Sequence, residues 1–389
     1  MEKRNLQEML NRIRAELSIF YEIGNAMRST LNLEEILFII LTGVTAHEGL
    51  GFNRAMLFLV NEEDNALEGK MGIGPHSGED AGRIWTKIET EKMTLEDLIA
   101  RFRHYKKGGS ELDKVVRSIR IPLREDEGVL ALSVLEGMSF EVTTEEARHR
   151  LAHDHVLRTL KTEYFVTVPL KAKDKVVAVI LADNIFTKKP ITKDDIRTLM
   201  MFANHGGLAI ENSRLYEQMV YEANTDSLTR LWNHGYFQYL LTEELKKAYD
   251  NKSPVSVIMF DIDNFKNYND ALGHQMGDQL LHEIARILKT ACDGQGVVAR
   301  YGGEEFSVIL PNVSNGKAFE IAENLRKAVE ACQFKGQDVQ PTKNLTVSAG
   351  LATYPKDALD KEKLIYLADM ALYEAKRTGK NKICAYRSK

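Results

Sequence analysis

Four carboxylates in two short runs are the residues of this chain best suited to chemistry. Asp261 and Asp263 close the apolar run that begins at Val255, and Glu304 and Glu305 follow Gly302 and Gly303. A carboxylate at the end of a buried strand is held rigidly and still reaches solvent, which suits a hard cation with oxygen ligands. The glycines permit a tight turn and let a phosphate approach the backbone. Two acidic clusters on neighbouring strands, far apart in sequence, are what a magnesium–nucleotide site requires. The metal would neutralise triphosphate charge, activate an attacking hydroxyl and stabilise departing pyrophosphate. Either cluster alone reads most simply as a solvated acidic turn; their joint placement argues for a site.

The segment between them adds candidates for holding a nucleotide. Asn269 carries both donors and acceptors and could pair with a purine edge. Asp278 could accept from a guanine N1–H and N2–H2, which adenine lacks. Lys266 follows the strand end, where an ammonium and backbone N–H groups could hold phosphates. Singly, Asn269 and Asp278 could equally cap helices.

These residues need elements to position them. The chain has 389 residues, which suggests two or three domains. Hydrophobic residues make up 44% and charged residues 28%, a balance able to bury real cores. The formal net charge of -4 gives no basic field for nucleic acid or an anionic membrane surface. The longest apolar run, around Ile36 to Val44, is too short to span a membrane, and the polar N-terminus is no signal core. The expectation is a cytoplasmic protein. Cys292, Cys332 and Cys384 are too sparse for a disulfide framework or a zinc site.

Apolar spacing predicts helices from Leu6 to Arg28 (Met9, Ile13, Leu17, Phe20, Ile23, Met27) and from Leu33 to His47, the latter capped by Asn32. Strand hairpins are expected at residues 55–60 with 67–71, and at 165–170 with 176–181. Thr192 and Asp195 form a capping-box-like start to a helix running from Asp194 to about Ala223, with Gly206-Gly207 inside it. Residues 76–160 give mixed signals. From Asp226, strands and helices alternate around a hairpin at Gly302-Gly303. The expected fold is α+β: an antiparallel sheet with flanking helices, joined by a long helix to a ferredoxin-like palm. The division is 1–28 N-terminal helix, 29–193 first mixed domain, 194–224 connecting helix and 225–389 second mixed domain.

Five ordered motifs carry a resemblance over residues 222–386: Asp226-Ser-Leu-Thr-Arg-Leu-Trp-Asn233, the run from Asp261 to Asp278, Arg300-Tyr-Gly-Gly-Glu-Glu-Phe306, Val347-Ser-Ala-Gly350 and Ala368-Asp-Met-Ala-Leu-Tyr-Glu-Ala-Lys376. Together they resemble the GGDEF family of diguanylate cyclases. Val168-Pro-Leu170, Val176 to Ile180, Asp183-Asn184 and Ala209 to Asn212 resemble a GAF sensory domain over about residues 15–215. The resemblance implies condensation of two GTP into cyclic di-GMP with release of pyrophosphate. It implies Mg2+ (or Mn2+) bound by Asp261, Glu304, Glu305 and the carbonyl of Ile262, with Glu304 and Glu305 catalytic. Phe265, Lys266, Asn269, His274, Asp278, Lys376 and Lys380 would bind the substrate. One site holds one GTP, so a homodimer is implied, with no nucleic acid and no membrane as partner. A small ligand for the GAF-like half is possible, and no residue names it.

Three departures from the family pattern stand out. Arg230 replaces a common glycine, and Lys380 replaces an arginine, keeping charge but losing the planar fork. The product-inhibition motif Arg-x-x-Asp is absent, its place taken by Asp293-Gly-Gln-Gly296. Inhibition through that site is therefore not expected. Two alternatives stay open: a catalytically weak nucleotide-binding receptor, and a mixed cyclic GMP–AMP synthase. Asp278 speaks for guanine and against the latter.

The sequence also carries weaker signals. Met201, Leu208 and Leu215 repeat every seventh residue, with His205, Asn212 and Met219 as the alternate row. This reads equally as a coiled-coil seam or an ordinary amphipathic helix. His149 and His153 share helical spacing, but a solvated polar helix explains them and His155 better than a metal. Lys106 to Gly109 reads as an exposed loop, and Trp85 and Trp232 as packing anchors.

Overall fold

The structure, a computed structural model, describes residues 21–46, 49–91, 94–100, 102, 109–143, 145 and 154–387. Met9, Ile13, Leu17, Phe20, His149, His153, Lys106 to Gly108 and the Trp85 side chain lie outside what is described. The chain divides into two compact units, residues 1–217 and 218–389. Among the described residues no helix is long and apolar enough to cross a membrane.

The first unit is built on a six-stranded antiparallel sheet of order β3-β2-β1-β6-β5-β4. Its strands are β1 (Arg54–Asn61), β2 (Ala66–Ile73), β3 (Arg120–Pro122), β4 (Phe140–Val142), β5 (Phe165–Ala172) and β6 (Lys175–Asp183). The helices in order are α1 (Leu33–Thr45), α2 (Gly78–Glu91), α3 (Leu95–Ala100), α4 (Glu111–Arg117), α5 (Val129–Leu135) and α6 (His155–Leu160). α7 (Lys193–Asn224) then leads out of the unit. The Asn32 side chain caps α1 by accepting from Glu35 N–H, as its position predicted.

β1 shows why the strands read as continuous apolar runs. Ala55, Leu57 and Leu59 enter the core shared with α1 and α7, while Met56, Phe58 and Val60 enter a second core on the other face. At the strand end, Arg54 and Asp183 form an ion pair at 2.6 Å whose side chains are almost wholly buried. Arg54 also donates to the Leu160 carbonyl, tying α6 to the central strands.

Thr192 and Asp195 form the expected reciprocal cap at the start of α7. Gly206 and Gly207 do not break the helix; they let it lie against the sheet. A Cβ on Gly207 would stand 2.3 Å from the Lys171 carbonyl oxygen. The buried face of α7 is Leu199, Phe202, Ala203, Gly206, Gly207, Ile210 and Ser213. Met201, Leu208, Leu215 and Met219 are exposed, by 46%, 50%, 49% and 66%. The heptad row is therefore not the face that packs on the sheet.

The second unit holds a five-stranded sheet of order β11-β10-β7-β9-β8. Its elements are α8 (His234–Asn251), β7 (Val255–Ile262), α9 (Phe265–Leu272), α10 (His274–Ala291), β8 (Val297–Gly302), β9 (Glu305–Pro311), α11 (Asn315–Glu330), β10 (Val347–Tyr354), α12 (Lys361–Arg377) and β11 (Ile383–Ala385). β7, the centre, is antiparallel to β9 and β10. It too is buried on both faces. Val255, Val257 and Met259 meet α8 and α12, while Ile258, Phe260 and Ile262 meet α9, α10 and α11. This is the α+β layout expected, with the acidic residues at one end of the central strands.

Candidate active site

Register alone brings two of the carboxylates together. Asp261 on β7 is paired with Glu305 on β9, so their side chains share one face of the sheet. Like charges directly opposite each other are destabilising unless a cation stands between them. Glu304 sits in the two-residue turn that joins the pair Gly302 and Glu305, with Gly303 at φ 33°. Its carbonyl accepts from Ile262 N–H at 3.4 Å, so the hairpin tip is fastened to the end of β7. Ile262 itself is 1% exposed.

The cation now facing Asp261 is the chain's own. Lys376, in the last turn of α12, reaches Asp261 Oδ2 at 2.6 Å. Burial nevertheless pushes the Asp261 carboxyl above the usual range, against the pull of Lys376, with Asp263 adding to the rise and Lys380 opposing it. Burial also raises Glu304 and Glu305, and the Asp261 charge raises both further. Three carboxyls that resist ionisation beside one another are short of positive charge. Among the described residues no three His, Cys, Asp or Glu side chains form a metal-holding cage. Magnesium seldom uses such a cage; it takes one or two carboxylates and completes its shell with water and substrate phosphates. Asp261 and Glu305, facing each other across β7 and β9, would suit that habit, with Glu304 fastened to Ile262 beside them.

Asp263 sits in different surroundings from Asp261. It is 3% exposed and accepts from Thr346 Oγ1 at 2.7 Å, Ser348 Oγ at 2.7 Å and Asn381 N–H at 3.0 Å. Its oxygens are engaged by Thr346, by Ser348 at the start of β10 and by the C-terminal turn, so it braces the end of β7.

The nucleotide-binding candidates lie on α9, α10 and the C-terminal turn. Phe265 opens α9 and is buried in the core, while Lys266 beside it is exposed. Asn269 is inside α9 and caps nothing. Its Oδ1 is buried without a hydrogen-bond partner. A Cβ on Gly277 would come within 1.9 Å of that oxygen, so glycine there is what lets α10 approach α9. His274 is the first residue of α10 and Asp278 lies one turn on; both are exposed. Lys380 Nζ donates to Asn264 Oδ1, at the end of β7.

Arg300, quoted in a motif but given no role from the sequence, proves to be a tether. Its Nε and Nη2 donate to the Gly303 carbonyl at 3.0 and 2.7 Å. Its Nη1 donates to both oxygens of Asp226 at 3.0 and 3.1 Å. Burial alone would raise the Asp226 carboxyl, but hydrogen bonds from Thr229 and Arg300 outweigh it and hold the group below the usual range. Trp232 works as the packing anchor expected: its ring stacks on Tyr236 at 4.1 Å and meets Tyr221 edge-on at 5.9 Å.

Comparison with known proteins agrees with this layout. Residues 223–382 match the model described as "Diguanylate cyclase, GGDEF domain", and residues 32–210 match that of the GAF domain. Diguanylate cyclase A of Treponema denticola is 34% identical over 250 residues, which cover 62% of this chain and 65% of that protein. The probable diguanylate cyclase DgcT of Escherichia coli is 37% identical over 161 residues, 41% of this chain and 35% of that protein. The chain thus spans less than two thirds of the length of these relatives. Among solved structures, the coiled coil and GGDEF domain of DgcB from Caulobacter crescentus, in complex with c-di-GMP, is 31% identical. It covers 45% of this chain and 93% of that one, at a TM-score of 0.40. On the family models, residues 223–382 form a GGDEF domain and residues 32–210 a GAF domain ahead of it.

Proposed function

We propose that this chain condenses two molecules of GTP into cyclic di-GMP and two pyrophosphates, and that its GAF domain regulates the reaction. The observation that carries this reading is the facing pair Asp261 and Glu305, with Glu304 at the adjoining turn and Lys376 at Asp261. Bound Mg2+, or Mn2+, supplies positive charge for the triphosphate and acidifies the attacking hydroxyl. Asp261, Glu304, Glu305 and the Ile262 carbonyl would hold it.

Asn269 and Asp278 read guanine. The orphaned Asn269 Oδ1 is a buried acceptor awaiting a donor. Asp278, exposed one turn into α10, is free to accept from N1–H and N2–H2, a pairing that adenine cannot offer. Phe265 at the start of α9 and His274 at the start of α10 complete the nucleotide site in this reading. Lys266, Lys376 and Lys380 neutralise the phosphates, the Lys376 ammonium turning from Asp261 to a substrate oxygen. Glu304 takes the proton from the ribose 3′-hydroxyl. The 3′-oxygen then bonds to the α-phosphorus of the second GTP, the bond to the β-phosphate oxygen breaks, and pyrophosphate leaves. A second, reciprocal event closes the ring. Because one site binds one GTP, two copies of the domain must face each other.

GTP and magnesium are cytoplasmic supplies, and the cytoplasm is the setting this reading requires. The decisive test incubates the purified full chain with Mg2+ and GTP, ATP or both, and identifies the products by mass spectrometry. Cyclic di-GMP from GTP alone is the expected result. No product from a dimeric sample would replace the reading with a nucleotide-binding receptor, and a mixed dinucleotide would reassign Asp278.

A further inference from the structure

The C-terminal turn after α12 has an unusual backbone. Gly379, Lys380 and Asn381 are successive left-handed residues, at φ 119°, 61° and 48°. Glycine takes such values freely and asparagine tolerates them, but a lysine is sterically disfavoured there. A residue held in this region persists only where its surroundings over-determine it.

The surroundings do so through Asn381. Its N–H donates to Asp263 Oδ2 at 3.0 Å, and its Nδ2 donates to Glu330 Oε1 at 2.6 Å. Its Oδ1 accepts from Arg326 Nη1 at 2.5 Å. Arg326, 7% exposed, is itself fixed by a two-pronged contact with Glu323 at 2.9 and 2.7 Å and by Glu330 Oε2 at 2.7 Å. On the other side, Lys380 N–H donates to the Ala375 carbonyl at 3.0 Å. The turn is therefore pinned to α11, α12 and the end of β7 at once.

The sign of φ at Lys380 decides which way its side chain leaves the backbone. With this φ the ammonium reaches Asn264 just past the end of β7, and its charge is felt at Asp261. Every charged partner in the Arg326 network is satisfied within the network. Its consequence for the site is the direction of Lys380.

We propose that Asn381, clamped by Arg326 and Glu330, is a positioning residue that aims Lys380 at the triphosphate of the bound nucleotide. This rests on the reading of the site as a GTP site. Neither Asn381 nor Arg326 touches the substrate; they act through Lys380.

The test uses the full chain with Asn381→Gly, which keeps the left-handed backbone comfortable and removes only the clamp. The probes are the α,β-methylene analogue of GTP, whose scissile linkage cannot be broken, and guanosine, which has no phosphate. Affinity for the analogue should fall about tenfold while that for guanosine stays within about twofold, and the Michaelis constant for GTP should rise with little change in kcat. Arg326→Lys, which keeps the charge but loses the fork, should shift the analogue in the same direction by less. Analogue affinity unchanged in Asn381→Gly would overturn the proposal. So would a parallel loss for analogue and guanosine, the signature of a merely structural role. Binding is read without turnover, so a wild-type chain that binds the analogue but makes no cyclic di-GMP would refute the proposed reaction and leave the positioning role standing.

Discussion

Asp261 and Asp263 stand two positions apart on one strand end and do opposite work. Asp261 is buried against other carboxylates with Lys376 as its ion-pair partner, whereas Asp263 is engaged by two hydroxyls and a backbone N–H. Replacing Asp261 by alanine should abolish cyclic di-GMP formation, lowering kcat by at least about a hundredfold, while the melting temperature holds or rises because a strained acid has gone. Replacing Asp263 by alanine should instead cost about 2–4 kcal/mol of stability by stranding Thr346, Ser348 and Asn381 N–H, measurable by denaturant unfolding. A melting temperature that fell as far for Asp261→Ala as for Asp263→Ala would remove this distinction. The sequence could not separate the two aspartates, since both follow the same apolar run and the partners of Asp263 lie more than eighty positions away. Asn269 was ambiguous between a cap and a base contact, and only its place inside α9 with an orphaned oxygen decides against the cap. Asn381 and Arg326 had no local signal beyond a Gly-Lys-Asn turn after a helix.

At the scale of elements, the catalytic hairpin depends on a tether as well as on register. Arg300 joins the Gly303 carbonyl to Asp226, which lies two residues beyond the end of α7. Lysine at 300 can reach one of these partners but not bridge both. Arg300→Lys should therefore lower kcat about tenfold, the worth of one or two hydrogen bonds, with affinity for the GTP analogue nearly unchanged. Asp226→Asn should do the same, and the double variant should be no worse than either single one, as expected of residues in one network. Additive losses would show that the two residues act separately. A different loop lacks what it would need for control: the turn at Asp293 to Gly296 carries an acid where a phosphate-binding arginine would be required. Micromolar cyclic di-GMP should leave the initial rate of the full chain unchanged. The central strands and α7 were legible because they are long: residues buried on both faces give continuous apolar runs, and α7 carries its own cap. Residues 76–160 were not, since β3 and β4 are three residues each and α3 to α6 only six or seven, too short for either period to show.

For the whole molecule, the proposed reaction would set a requirement that one copy cannot meet, and the exposed row of α7 is where a second copy would meet it. Its inner face is filled by the sheet of the first unit, at Phe202, Ala203, Gly206, Gly207 and Ile210. Its outer row of Met201, Leu208, Leu215 and Met219 stays exposed, with Asn212 among them. In the proposed reading, this row pairs with that of a second copy, and Asn212 fixes a parallel register by meeting its equivalent. Two catalytic domains tethered this way would meet at an effective concentration on the order of millimolar, against micromolar or less in free solution. Replacing Leu208 and Leu215 together by glutamate should break the seam by like-charge repulsion and loss of apolar contact, without touching the buried face. Specific activity of the wild type should then be flat as protein is diluted about a hundredfold, whereas that of the variant should fall in proportion to concentration and recover when protein is concentrated. Sedimentation should show the variant as a monomer over the same range. A variant that stays dimeric and fully active on dilution would mean that the copies meet through another surface, and the exposed row of α7 would then need a different partner.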